Sequence, residues 1–200
     1  MFTGLVTDVG EVVSRKDGGD TRFVIRTSYD LGSVALGASI ACSGVCLTAV
    51  SFNGDTFAVD ASGETLGVTT LKSWQPGTQV NLERSLKLGD EMGGHIVTGH
   101  VDTMGEIVTL RQVGDSWFVQ IAVPADYGVY IAKKGSIAVN GVSLTVNEVA
   151  DQAGSTIFDL NIIPHTWDVT AFNTAMIGDA VNIEVDLMAR YMARFAERNA

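Results

Sequence analysis

The sequence predicts an all-β protein of two tandem, duplicated six-stranded antiparallel Greek-key barrels, with short helices and a C-terminal α-helix. Three observations predict it. The chain repeats itself, each copy is cut into short strands by Gly, Asn and Asp, and only the last dozen residues carry a helical stripe.

The repeat sets the domain count. Met1-Phe2-Thr3-Gly4 and the strand after it return, altered, over 95–108, with Thr3-Gly4 on Thr98-Gly99 and Gly10-Glu11 on Gly105-Glu106. Residues 38–48 return as 135–145, 64–69 as 165–170, and 77–83 as 178–184. Four blocks in one order at nearly constant offset mean duplication. Of the 200 residues, 1–92 are expected to form an N-terminal barrel, 93–186 a C-terminal barrel and 187–200 a terminal helix.

In the first copy the strand segments are 5–13, 21–27, 39–42, 46–51, 56–60 and 79–84, with turn signals at Asp17-Gly18-Gly19, Asn53-Gly54-Asp55 and Pro76-Gly77. Closing such short strands into a barrel removes their exposed edges. Residues 28–36 and 66–74, and in the second copy 124–133 and 167–175, break the alternation and read as one- or two-turn helices that plug the barrel ends. Pro124 suits a first helical turn. Residues 87–94 read as a linking loop. In the tail, Met188, Met192 and Phe195 share one stripe, and Arg190, Arg194, Glu197 and Arg198 lie mostly elsewhere. A helix this short needs a partner surface, either its own barrels or copies of itself from other subunits.

With 23 acidic against 13 basic side chains the net charge is −10. This argues against nucleic acid or an anionic membrane as partner, because phosphates are held by accumulated Lys and Arg. There is neither a basic-then-apolar leader nor a run approaching the roughly 18 apolar residues of a membrane span, so a cytoplasmic location is expected. On one extended strand the Cα atoms of Cys42 and Cys46 would lie about 13 Å apart, too far for a disulfide, so both are expected to be free thiols. No second Cys/His pair supports a zinc site, and no phosphate loop, nucleophile elbow or dinucleotide fingerprint occurs.

In a duplicated protein the informative positions are those where the copies differ. Leu5 faces His100, Cys46 faces Ser143, Glu64 faces His165, and Ser85 faces Asp186. Around them, Gly44-Val45-Cys46-Leu47-Thr48 and Gly141-Val142-Ser143-Leu144-Thr145 set thiol or hydroxyl side chains two residues apart, hence on one strand face. Both copies thus offer similar pockets of unequal chemical competence. Plainer roles stand beside these. A histidine in a β protein is most often a hydrogen-bonded structural residue, the role assigned to His95; Ser143 and Thr145 could satisfy backbone groups; Cys46 needs an electropositive neighbour to become a nucleophile.

Met1-Phe2-Thr3-Gly4, Gly44-x-Cys46-Leu47-Thr48, Gly93-Gly94-His95-x-x-x-Gly99-His100-Val101, Asn140-Gly141-Val142-Ser143-Leu144-Thr145, Ile163-Pro164-x-Thr166 and Val181-Asn182-Ile183-Glu184-x-Asp186 together resemble the riboflavin synthases of the alpha-chain type, built from two lumazine-binding barrels. The resemblance runs from end to end. It implies a transferase that dismutates two molecules of 6,7-dimethyl-8-ribityllumazine to riboflavin and 5-amino-6-ribitylaminouracil by four-carbon transfer, the last step of riboflavin biosynthesis, with no metal or redox cofactor. It also implies a homotrimer whose active sites lie between the N-terminal barrel of one subunit and the C-terminal barrel of the next.

Carried over residue by residue, the first pocket would use Gly4, Leu5 and Val6, then Cys46, Leu47 and Thr48, then Asp60, Ala61, Ser62, Gly63, Glu64 and Thr65. The second would use Gly99, His100 and Val101, then Lys134, Ser143, Leu144 and Thr145, then Asn161, Ile162, Ile163, Pro164, His165 and Thr166. The catalytic set would be His100 with Ser143 and Thr145 for proton transfer, Asp186 to orient them, and Cys46 facing from the opposing barrel. His165, where many relatives carry Glu, and Ala61-Ser62-Gly63, where many are more aliphatic, depart from the pattern. Three other functions fit parts of the sequence: a lumazine or flavin carrier of the same fold, a nucleic-acid-binding or scaffold barrel pair, and a flavin reductase. Retention of His100, Ser143, Thr145 and Asp186 favours the enzyme over the carrier, the acidic balance disfavours nucleic acid, and a reductase would require a nicotinamide partner.

Overall fold

A computed structural model describes residues 1–198. Strands β1 (Asp8–Lys16), β2 (Thr21–Arg26), β3 (Ser39–Cys42), β4 (Val45–Asn53), β5 (Thr56–Ala61) and β6 (Gln79–Arg84) close into a barrel in the order β1-β2-β5-β4-β3-β6. Strands β7 (Thr103–Val113), β8 (Ser116–Pro124), β9 (Ser136–Val139), β10 (Val142–Gln152), β11 (Ser155–Ile162) and β12 (Ala180–Val185) repeat that order in a second closed barrel. The duplicated all-β architecture is borne out, with every strand pair antiparallel.

Alternation decides which face turns inward. Along β2, Phe23 and Ile25 are fully buried while Arg22 and Arg26 point to solvent. The N-terminal core gathers Val12, Phe23, Ile25, Ile40, Phe57 and Leu82, and the C-terminal core Ile107, Ile121, Ile137, Phe158, Leu160 and Ile183. Register shifts at Val12/Ser14 and Ala49/Ser51 recur at Ile107/Thr109 and Val146/Val149, so the copies bend their longest strands at matching places to close the barrel.

Several boundaries differ from expectation for physical reasons. The first strand starts at Asp8, opposite Leu82 of β6; just ahead of it the Leu5 N–H donates to Thr3 Oγ1 and the Gly4 carbonyl accepts from Ser143 N, so the start of the segment is not paired within its own barrel. The two cysteines lie not on one strand but across a tight hairpin, Ala41 opposite Cys46 and Cys42 opposite Val45; both thiols are nevertheless free. Pro124 caps a 3-10 turn over Ala125–Tyr130 from an extended conformation, φ −55° and ψ 142°, rather than entering it. Helices α1 (Gly63–Val68) and α2 (Pro164–Asp168) begin earlier than the pattern suggested, started by the Ser62 cap and by Pro164 in the first turn.

The tail is a helix, α3 (Leu187–Glu197), capped by the Asp186 carboxylate, which accepts from Met188 N at 2.8 Å. The expected unit ran to 200, and its last two residues lie outside the described ones. Met188 and Met192 of the expected stripe are 66% and 68% exposed, so the chain's own barrels do not cover them. Among the described residues, no helix is long and apolar enough to cross a membrane.

Candidate active site

The barrels meet at twin hairpins. The turns Ser43-Gly44 and Asn140-Gly141 all take positive φ (43°, 82°, 47° and 78°), the signature of the tight turn that matches strand twist. They abut so closely that a Cβ on Gly44 would stand 2.7 Å from the Gly141 nitrogen. Two asparagines rivet the joint reciprocally. Asn81 Nδ2 donates to the Asn140 carbonyl and its Oδ1 accepts from Ala171 N; Asn182 Nδ2 donates to the Ser43 carbonyl and its Oδ1 accepts from Thr70 N, all at 2.7–2.9 Å. Phe2 and Val97 pair as an antiparallel bridge and seal the joint with Ala41 and Ala138.

From this joint the leading segment of each copy crosses to the other copy's barrel. Glu83 on β6 accepts from Thr3 N, Thr3 Oγ1 and Gly4 N at 2.7, 2.8 and 3.0 Å, and the Gly4 carbonyl then accepts from Ser143 N on β10 at 2.8 Å. Glu184 on β12 accepts from Thr98 N, Thr98 Oγ1 and Gly99 N at 2.6, 2.7 and 2.8 Å, and the Gly99 carbonyl accepts from Cys46 N on β4 at 2.8 Å. Accordingly Val6 packs on the C-terminal core and Val101 on the N-terminal core. Burial pushes both glutamate pKa values up, against the pull of the Thr and Gly donors.

This exchange corrects the grouping drawn from the sequence. On the N-terminal barrel, a depression of about 260 Å³ is lined by Val45, Cys46, Glu64, Thr65, Val68, Thr69, Gly99, His100 and Val101. His100 therefore sits with Cys46, and Gly4 with Ser143. Ser143 has a different histidine: His95 Nδ1 and Ser143 Oγ share a 2.7 Å hydrogen bond, and His95 Nε2 is buried without a partner among the described residues. Burial holds the His95 pKa down, opposed by the charge of Asp186. The carboxylate of Asp186, the expected orienter, caps α3.

The remaining expected residues divide. Thr48 and Thr145 are exposed on matching strand faces, and Glu64, Thr65, Pro164, His165 and Thr166 lie on the equivalent helices α1 and α2. Gly63 opens α1, Ser62 caps it through Thr65 N, and Asn161 and Ile163 are exposed just before α2. Asp60 is tied two-fold to Arg22 at 2.8 and 2.7 Å, and that guanidinium holds its carboxyl below the usual range. Leu47, Ala61 and Ile162 are buried and Leu144 half-buried, while Lys134 is exposed at φ 65° with Nζ 3.3 Å from Asn147 Oδ1. A larger cavity, about 520 Å³, lies on the joint between Ser43, Thr70, Trp74, Gln79, Asn140 and Thr174. None of the expected residues lines it, and Asp179, its charged lining residue, accepts from Met176 N.

The model of the lumazine binding domain matches residues 3–85 and again 98–186. A riboflavin synthase of Brucella abortus is 48% identical over 203 residues, 98% of each chain. The chain belongs to the riboflavin synthase family. A riboflavin synthase of Mycobacterium tuberculosis is 43% identical over 97% of both chains, and one of Bacillus subtilis 36% identical over 99% of this chain and 91% of its own. Among solved structures, LumP complexed with riboflavin aligns with a TM-score of 0.84 at 28% identity, covering 92% of this chain and 99% of that one. LumP complexed with 6,7-dimethyl-8-(1'-D-ribityl) lumazine aligns at 0.82 and 27% over the same shares.

Within this riboflavin synthase family member, sequence reasoning missed Asn81 and Asn182, Glu83 and Glu184, and the partnership of His95 with Ser143. The first four had a signal: polar and acidic residues at matching positions of the last strand in both copies, alternating with its core residues. His95 stood in the Gly93-Gly94-His95 motif, but its spacing gave no sign that it pairs with Ser143.

Proposed function

We propose that the chain catalyses the dismutation of two 6,7-dimethyl-8-ribityllumazine molecules to riboflavin and 5-amino-6-ribitylaminouracil, the last step of riboflavin biosynthesis. The observation that carries this reading is a pair of equivalent sites that differ only in proton-handling groups. One gathers Cys46, Glu64 and His100; at the equivalent positions of the other copy stand Ser143, with Gly4 bonded to it, Leu5 and His165. A molecule that reacts with its own copy, one as donor and one as acceptor, needs that combination. The full-length likeness to riboflavin synthases supports it.

Atoms and electrons balance when a four-carbon unit passes between the two molecules, so the reaction consumes no oxidant or reductant. The 7-methyl proton is acidic because the electron-poor ring delocalises the charge left behind, and a modest base suffices. His100 moves that proton with Cys46 beside it in the same depression, and the Ser143 and Thr145 hydroxyls of the opposing barrel, with Asp186 behind them, face the second molecule and hold the developing charge. Backbone groups of Gly4, Leu5 and Val6 and of Gly99, His100 and Val101 read the rings, flanked by Thr48, Glu64 and Thr65 or by Thr145, His165 and Thr166. Because His100 and Ser143 lie on opposite barrels, the set closes between subunits of a cytoplasmic homotrimer, the N-terminal barrel of one against the C-terminal barrel of the next, with the segment 187–200 as trimerising element. The exposed Met188 and Met192 on α3 support that assembly. Holding two reactants at contact is worth about 7–11 kcal/mol, against about 3–5 kcal/mol for one general base, so juxtaposition dominates. Purified protein incubated with the lumazine alone should form riboflavin, followed by its absorbance and yellow fluorescence; tight binding without product would leave a carrier.

A further inference from the structure

We propose that the two buried glutamates are positioning residues that act crosswise: Glu184, in the C-terminal barrel, sets the ligand site on the N-terminal barrel, and Glu83, in the N-terminal barrel, sets the site on the C-terminal barrel. This rests on the reading that the depression on the N-terminal barrel, and the equivalent place on the C-terminal barrel, bind lumazine or flavin. Each carboxylate is nearly sealed, 3% exposed for Glu184 and 6% for Glu83, and each turns both oxygens on a single dipeptide. The grip is relayed. Thr98 Oγ1, which donates to Glu184, accepts from His100 N at 3.3 Å, and Thr3 Oγ1, which donates to Glu83, accepts from Leu5 N at 3.2 Å.

The carbonyl of the held dipeptide then bonds to the opposite barrel's strand. The Gly99 carbonyl takes Cys46 N, and a Cβ on Gly99 would lie 2.5 Å from Cys46 Cβ; Gly4 approaches Ser143 in the same way at 2.6 Å. The glutamate thus fixes the position of His100 at a site to which its own strand contributes nothing else. A carboxylate is required because all three groups facing it are donors. A carboxamide turns one N–H towards either Thr98 N or Gly99 N, donor against donor, inside a buried pocket. A residue kept only for packing would tolerate an apolar replacement of equal volume.

The test uses the full chain, riboflavin as probe, and two readouts: bound riboflavin per chain, and protection of the Cys46 thiol from iodoacetamide. Cys42 is buried and stays silent. Wild type should bind two riboflavins and protect Cys46. Glu184→Gln should bind one and leave Cys46 as reactive with riboflavin as without it. Glu83→Gln should also bind one, with Cys46 still protected. Glu184→Asp, which keeps two acceptor oxygens, should bind the N-terminal site at least about tenfold tighter than Glu184→Gln. Should Glu184→Gln fail to fold, Thr98→Val cuts the same relay and should weaken the Cys46 site about tenfold while sparing the other. Loss of the site on the glutamate's own barrel, equal loss at both, or no loss at either overturns the proposal. Wild type that binds no riboflavin overturns it together with the reading beneath it.

Discussion

Replacing Gly99 by alanine separates the cost of backbone strain from the cost of pushing the exchanged segment off its barrel. Gly99 has φ 80°, and an added Cβ would meet Cys46 Cβ at 2.5 Å and Cys46 N at 2.9 Å. Gly178 has φ 94° and open space around the same position. Both substitutions force an L side chain into the left-handed region, at about 1–2 kcal/mol. Only Gly99→Ala adds a collision. Restoring ordinary contact at 3.4 Å moves the segment outward by 3.4 − 2.5, about 0.9 Å, and carries the Gly99 carbonyl from 2.8 Å to beyond hydrogen-bond reach of Cys46 N. Losing that bond with its buried groups unpaired costs about 2–4 kcal/mol more. For a chain of this size that is roughly 4–16 °C in Tm below Gly178→Ala. Thermal melts by circular dichroism, paired with riboflavin titration, read both effects. If Gly99→Ala melts within about 2 °C of Gly178→Ala and keeps Cys46 protected, the close approach does not set the site.

Arg190 Nη2 lies 2.8 Å from both Asp102 oxygens, with the side chains 31% and 18% exposed, so Arg190→Met should cost about 1–2 kcal/mol, less than a fully buried pair, and near nothing once Asp102→Asn is present. A double-mutant cycle in urea measures it. His100→Ala should lower kcat about 10²–10⁴-fold, and deleting 187–200 should cost more, with sedimentation showing separated subunits; a deletion at full activity would reverse that ranking. Burial raises Glu83 and Glu184 above the ordinary 4.5, so between 4.5 and the raised values the native state binds more protons than the unfolded one. Their contribution is full below about 4.5 and lost as pH rises through the folded values, so wild type measured against Glu184→Gln should lose stability across that window in a pH series of urea melts.

The fold was legible because period-two alternation and the repeat are properties of the string. Residues 21–27 and 79–84 were found to within one residue, and β3 to the residue, since each face is either core or solvent. What could not be seen was which barrel each leading segment lies against. The residues Thr98-Gly99-His100 read the same whether their carbonyl meets Ser143 or Cys46, so the repeat predicts two alike sites but not their membership. The cysteine spacing failed for a related reason: Ser43-Gly44 closes a hairpin only because both residues accept positive φ, and serine carries little signal for that.

The exchange also explains how a duplicated chain can differentiate its two sites without breaking the joint between them. Asn81 with Asn182, Glu83 with Glu184, and Phe2 with Val97 are matched because each member supports the other's half, so divergence there would damage both sites together. Leu5 against His100 and Cys46 against Ser143 lie beyond those anchors, where each segment meets the opposite barrel. A change at any one of them alters one site alone. The site on the N-terminal barrel thereby combines a thiol from the first copy with a histidine from the second, and neither copy could have assembled that pair from its own residues.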